Sequence, residues 1–121
     1  MDLHMKDKVA VVAGGSTGIG FATALCFLDE GCKVAFFARN LEKLEAAKAQ
    51  FVSLGYTDVM AASADAVSEE EVNKFEADVA ERFGTIDYWV NVAGGSLRKS
   101  LNKVTNEEFD KVVAINLKSA F

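Results

Sequence analysis

Four glycines, Gly14, Gly15, Gly18 and Gly20, interrupt the stretch "VAVVAGGSTGIGFATALCFLDEG" (Val9–Gly31). A plain connector needs few, so this density implies that something approaches the backbone closely at the turn. The chemistry such a turn can do is anion binding. A helix starting here would offer unpaired N–H groups and the positive end of its dipole to a pyrophosphate, and side chains on the turn would hold the phosphates away. Ser16 and Thr17 can add hydroxyl donors. Gly14, Ser16, Thr17, Gly18, Ile19 and Gly20 are therefore the candidate cofactor-binding residues of the turn. The spacing Gly14-x-x-x-Gly18-x-Gly20 is not the commoner G-x-G-x-x-G, and a tight strand-to-helix turn packed with glycine is the plainer alternative.

The second chemical signal lies at the end of the next apolar run. Dinucleotide binders that use NAD place an acid about 20 residues beyond the glycines to hold the ribose hydroxyls. Between Gly31 and Leu41 there is no acid; Ala38 stands at that position and Arg39 follows it. A carboxylate would repel a 2′-phosphate, whereas a guanidinium grips it with paired, charge-assisted hydrogen bonds. The pair predicts NADP as cofactor, with NAD as second choice. A solvated surface arginine is the plainer alternative.

The elements that must position these residues follow from periodicity. β-rich runs occur at Lys8–Ala13, Lys33–Ala38, Asp58–Ser63 and Asp87–Ala93, with helical patterns between them. Leu41, Leu44, Ala47, Phe51 and Leu54 recur at helix spacing, with Asn40 as N-cap and Gly55 as stop. Val72, Phe75, Val79 and Phe83 do the same between a Ser68/Glu71 capping box and Gly84. Thr105 and Glu108 offer another capping box before Phe109, Val112, Val113 and Leu117, in a helix expected from about Asn106 to Phe121. Strands that are apolar throughout are buried on both faces, so the sheet is expected to be parallel with helices on each side. This is a βαβαβαβα chain of the doubly wound α/β class, and 121 residues, half of them hydrophobic, suffice for one compact domain.

Other function classes fit poorly. A net charge of −5 argues against a nucleic-acid or anionic-membrane partner. No apolar run reaches the roughly 18 residues of a membrane span and no signal peptide is visible, so a cytoplasmic location is expected. Cys26 and Cys32 read as reduced packing residues. His4, the single histidine, lies in a polar tail, so no metal site is expected. A receiver-type signalling domain needs acids at the end of its first strand, and here that strand ends in alanine and glycine.

Four segments in order resemble the short-chain dehydrogenase/reductase family, of the classical type, over essentially the whole chain. "GGSTGIG" resembles the family's glycine segment and "SADAVS" the segment after its third strand. "NVAGG" resembles its Asn-Asn-Ala-Gly element, and "INLKSAF" the helix carrying its active-site asparagine. The resemblance implies that Asp65 contacts the adenine and Ala66 lies over it. It implies that Asn91 supports the sheet, while Ala93 and Gly94 pass close to the cofactor ribose. Asn116 would be the active-site asparagine, which in the family bends its helix and holds a water linked to the catalytic lysine. Each role has a plainer alternative: a turn aspartate ahead of Ser68 for Asp65, and a structural bond to neighbouring backbone for Asn116. Asn116 shares the apolar stripe of its helix, and a buried amide must be hydrogen-bonded. The chain departs from the family pattern at Ala13, usually threonine, and at Val92, usually asparagine.

The family transfers hydride with a serine, a tyrosine as general acid–base, and a lysine four residues after the tyrosine. Here Tyr56 is followed four positions on by Met60, and Tyr88 by Val92. Residues 1–121 are therefore expected to be the N-terminal cofactor-binding part of a single Rossmann domain, four of the family's seven strands, in a protein about twice as long. The fourth strand is expected at a sheet edge. What the resemblance implies for the intact protein is an NADP(H)-dependent oxidoreductase acting on a small-molecule carbonyl or alcohol substrate. It would be a homo-oligomer, dimer or tetramer, with Ser96–Val104 bordering the substrate pocket. A nucleotide-binding module without catalytic activity of its own is the alternative.

Overall fold

The computed structural model describes residues 1–121. Its central strand, β1 (Val9–Ala13), has no polar side chain and is buried along its whole length. Such a strand needs neighbours on both edges and cover on both faces. It receives parallel neighbours on both sides, β2 (Lys33–Ala38) on one and β4 (Tyr88–Asn91) on the other, with Val11 opposite Ala35 and Trp89. β3 (Val59–Ser63) adds outside β2, so the order is β3-β2-β1-β4 and β4 lies at an edge. The four strands, the parallel pairing and the doubly wound architecture are those expected from the sequence.

Alternation along the inner strands feeds two cores. Ala10, Val12, Val34 and Phe36 point to one face, where Leu28 of α1 (Gly18–Asp29) and Leu44, Ala47 and Phe51 of α2 (Leu41–Ser53) cover them. Val9, Val11, Ala13, Ala35 and Phe37 point to the other, against Phe75 and Val79 of α3 (Glu69–Phe83). Phe51 stacks on Phe21 (4.6 Å between centroids) and meets Phe36 edge-on, which fixes α2 against both α1 and the sheet.

Helix limits follow local chemistry. Asn40 accepts from the Lys43 N–H at 3.0 Å, and Gly55 and Gly84 follow α2 and α3 with φ of +98° and +87°. At α3 only half of the expected capping box is present, Ser68 accepting from the Glu71 N–H at 3.4 Å. At α4 (Asn106–Val113) both halves are made between Thr105 and Glu108.

Some expectations are corrected. The fourth strand ends at Asn91, not Ala93, because the Val92 and Ala93 N–H groups both donate to the Ala13 carbonyl and the chain turns away there. It begins after Asp87, whose carboxylate accepts from the Val9 N–H at 2.9 Å. The last helix is not uniform to Phe121: α4 ends at Val113 and passes into a π-helical turn, Ala114–Lys118. Its apolar residues Phe109, Val113 and Leu117 are exposed, as is Cys26, expected as a packing residue; Cys32 is buried and its thiol reaches the Met5 carbonyl at 3.3 Å. No helix is long and apolar enough to cross a membrane.

Candidate functional site

The chain runs β1, β2, β3 to one side and then returns across β1 to β4. The loops leaving β1 and β4 therefore diverge, and a crevice opens beyond the carboxyl ends of the strands, where ligands bind in open α/β sheets. A cleft of about 140 Å³ lies there. Six of the residues singled out in the sequence meet in its wall: Gly14, Arg39, Asp65, Ala66, Ala93 and Gly94. Phe37, Ala38, Ala64 and Ile115 complete it.

At the turn, the glycines divide into two kinds. A Cβ on Gly14 would stand 2.9 Å from the Ala93 nitrogen, on Gly15 2.6 Å from Phe36 Cβ, and on Gly20 2.0 Å from the Gly14 carbonyl oxygen. The close approach read from the sequence is, at these three, an approach of the protein to itself. Gly18 differs: its φ is +57° and a Cβ would meet nothing within 4 Å. It is exposed at the first residue of α1, so the open space lies in front of the helix terminus.

That terminus is bare. Asn40, Ser68 and Thr105 cap the other three α-helices through their side chains, and each of those helices has acids in its first turn. Thr17 makes no capping bond and the first turn of α1 has no acid. The N–H groups and positive dipole end of α1 are thus left for an external anion. Ser16 is half-buried and Thr17 exposed on the same turn. Ile19 is 77% exposed and faces a separate groove on the outer side of α1 with Cys26.

Arg39 is exposed at the end of β2 and has no carboxylate within ion-pair distance; the one ion pair made by a lysine or arginine in the chain is Lys99–Glu108. Its backbone carbonyl accepts from Ser63 Oγ at 3.1 Å, which fixes the strand end from which the guanidinium projects. Asp65 makes the turn considered for it and also stands at the cleft. Its Oδ1 accepts from the Val67 N–H at 3.0 Å, as in an Asx turn leading into α3, and the residue also lines the cleft.

Asn91 does not line the cleft. Its Oδ1 accepts from Trp89 Nε1 at 3.0 Å on exposed β4. Asn116 lies within the π turn and is exposed, not buried, but its amide is fully engaged. Nδ2 donates to the carbonyls of Gly95 (2.7 Å) and Val112 (2.9 Å), and Oδ1 accepts from the Gly95 N–H at 3.2 Å. The side chain thus pairs with the Gly95 peptide as a strand would, and pins the loop after β4. Gly94 has to be small here, since a Cβ would stand 2.9 Å from Asn116 Oδ1. Sequence reasoning missed Ile115 as a wall of the cleft. Its place beside Asn116 was the available signal, but the π turn that aims it was not legible.

Further along that loop, Lys99 Nζ donates to both Glu108 oxygens, at 2.8 and 3.0 Å. Lys99 first, and then the Thr105 N–H, hold the Glu108 carboxyl below its usual range. Its contribution to stability is therefore present above its unfolded pKa of about 4.3 and lost as pH falls through the lowered folded value. Glu108→Gln is expected to flatten that acid limb in thermal midpoints measured against pH. Tyr56 is committed elsewhere: its hydroxyl donates to Asp29, which raises its pKa.

The family model described as short chain dehydrogenase matches residues 8–121. The chain is 37% identical over 120 residues to levodione reductase of Leifsonia aquatica, covering 98% of this chain and 45% of that protein. It is 38% identical over 119 residues to the NADP-dependent (R)-specific alcohol dehydrogenase of Lentilactobacillus kefiri, covering 98% and 46%. Among solved structures, an actinorhodin polyketide ketoreductase variant with NADPH superposes with a TM-score of 0.91 at 30% identity, covering 100% of this chain and 46% of that one. A short-chain dehydrogenase from Novosphingobium aromaticivorans gives 0.92 at 27% identity, covering 95% and 42%. The chain thus spans under half the length of the curated relatives it matches.

Proposed function

From the premise that this chain belongs to the short-chain dehydrogenase family, we propose that residues 1–121 form the NADP(H)-binding part of an oxidoreductase acting on small carbonyl or alcohol compounds. The observation that carries the cofactor choice is Arg39: an unpaired guanidinium at the cleft, beside Ala38 where a carboxylate would exclude a 2′-phosphate. The residues present fit the group. Gly18 leaves room before the uncapped start of α1 for the pyrophosphate, with Ser16 and Thr17 as further donors. Asp65 and Ala66 offer a polar edge and a small apolar surface to the adenine, and Ala93 and Gly94 form a wall without bulk for a ribose.

When bound, the nicotinamide cofactor supplies or accepts a hydride. The chain's own part is to hold its phosphates and adenosine and to fix the loop after β4 through Asn116. The names of the L. kefiri alcohol dehydrogenase and of the NADPH-bearing ketoreductase structure agree with this choice. A cytoplasmic, homo-oligomeric parent protein belongs to the same proposal, the free thiols of Cys26 and Cys32 being compatible with a reducing compartment.

Fluorescence titration with NADPH and NADH tests the reading. NADPH is expected to bind more tightly, and equal affinity would overturn it. A nucleotide-binding module without turnover is the second reading, since no Tyr-x-x-x-Lys occurs in residues 1–121. Cofactor binding by the full-length protein with no NADPH oxidation across a panel of ketones and aldehydes would favour that one.

A further inference from the structure

We propose that Ser119 is a positioning residue for the cofactor cleft, acting through the π turn that carries Ile115 and Asn116. The inference rests on the nucleotide-binding reading for its functional meaning, and on hydrogen bonding within the turn for its physical basis.

In an α-helix the N–H of residue 119 would donate to the carbonyl four residues back, that of Ile115. Here it donates instead to Ala114, five back, at 2.9 Å. The Ile115 carbonyl thereby loses its ordinary partner. Ser119 replaces that partner with its own side chain, Oγ donating to the Ile115 carbonyl at 2.6 Å in a part-buried setting. One residue thus makes both bonds: its backbone defines the wide turn and its hydroxyl satisfies the carbonyl that the wide turn strands. A partly buried carbonyl without a donor is costly, so the hydroxyl favours the π over the α arrangement.

The consequence reaches the cleft through two neighbours. A π turn holds an additional residue relative to an α turn, and each residue is about 100° of rotation, so its loss would re-aim the side chains that the turn carries. Ile115 is a wall of the cleft, and Asn116 clamps Gly95, just after Ala93 and Gly94, which line the same cleft. The space is tight at Gly94, where a Cβ would stand 2.9 Å from Asn116 Oδ1, and Ile115 Cγ2 is in ordinary contact distance, 3.8 Å, of where a Gly95 Cβ would be. A reversion to α geometry would re-aim both side chains.

The test compares Ser119→Ala with Ser119→Thr in the protein, reading NADPH affinity and the hydrogen-exchange rate of the Gly95 amide. Ser119→Ala is expected to weaken NADPH by about threefold to tenfold, the scale of one lost hydrogen bond, and to speed Gly95 exchange by a similar factor. Ser119→Thr keeps the hydroxyl and is expected to restore both; it also keeps the test alive if the alanine variant folds poorly. Unchanged affinity and exchange in Ser119→Ala, or a threonine variant as impaired as alanine, would overturn the proposal. If the unsubstituted protein binds no NADPH, the cofactor reading fails, while Gly95 exchange still decides whether Ser119 holds the clamp.

Discussion

Gly20→Ala is expected to unfold the protein or cost it at least about 3 kcal/mol, while Gly18→Val leaves the fold standing and abolishes NADPH binding. The two residues are two positions apart in the same motif, so the contrast is a sharp test of what each glycine does. An alanine methyl at Gly20 would lie 2.0 Å from the Gly14 carbonyl oxygen, a separation no pair of unbonded atoms sustains, and the obstacle is backbone that cannot rotate aside. The turn or the start of α1 has to shift, and with it the packing of Ala24 and Leu28 on β1 and β2. At Gly18 the added side chain meets nothing within 4 Å, so its cost is conformational: φ is +57°, which charges an L-residue about 1–2 kcal/mol. The side chain would then fill the space before the uncapped N–H groups of α1 that the pyrophosphate requires. Circular dichroism with thermal melts reads the first outcome, and cofactor titration the second. A Gly18→Val protein that still binds NADPH normally would show that the phosphates do not sit at this turn.

Arg39→Ala is expected to weaken NADPH by roughly tenfold to a hundredfold and to leave NADH nearly unchanged. A charge-assisted contact contributes about 1.5–3 kcal/mol, and Arg39 has no carboxylate to satisfy it without ligand, so little compensates for its removal. Ala38→Asp is the complementary change. It places a carboxylate beside the ribose end of the cleft, able to accept from a 2′-hydroxyl and repelling a 2′-phosphate, and should shift preference toward NADH. Parallel titrations of both variants with both cofactors read the effect. Equal losses for NADPH and NADH in Arg39→Ala would mean that Arg39 contacts a part common to both molecules, or none.

Much of this protein is set by signals that act within a few residues. The runs Val9–Ala13 and Val34–Ala38 are apolar on every residue, which obliges them to be interior strands of a parallel sheet wherever the rest of the chain goes. Asn40, Ser68 and Thr105 begin helices because a short side chain reaches an N–H three residues on, a distance the sequence alone fixes. The order of motifs, from the glycine turn through Arg39 and Asp65 to Asn116, was legible for the same reason.

What only the tertiary structure decided are the contacts between distant segments. That Gly14 yields to Ala93, and Gly15 to Phe36, depends on which strands lie side by side, so the sequence could not tell the glycines that serve the fold from Gly18, which faces open space. Asn91 stays on the edge strand with its Oδ1 accepting from Trp89 and does not line the cleft, a placement set by the pairing of β4 with β1. Asp87 joined β1 across 78 residues of chain, which no local pattern encodes. The π turn at Ala114–Lys118 carries an apolar periodicity that an α-helix would share. Its choice is favoured by the local bond from Ser119 to the Ile115 carbonyl and by Asn116 reaching the Gly95 peptide, a bond that exists only once the loop after β4 has been laid against that helix.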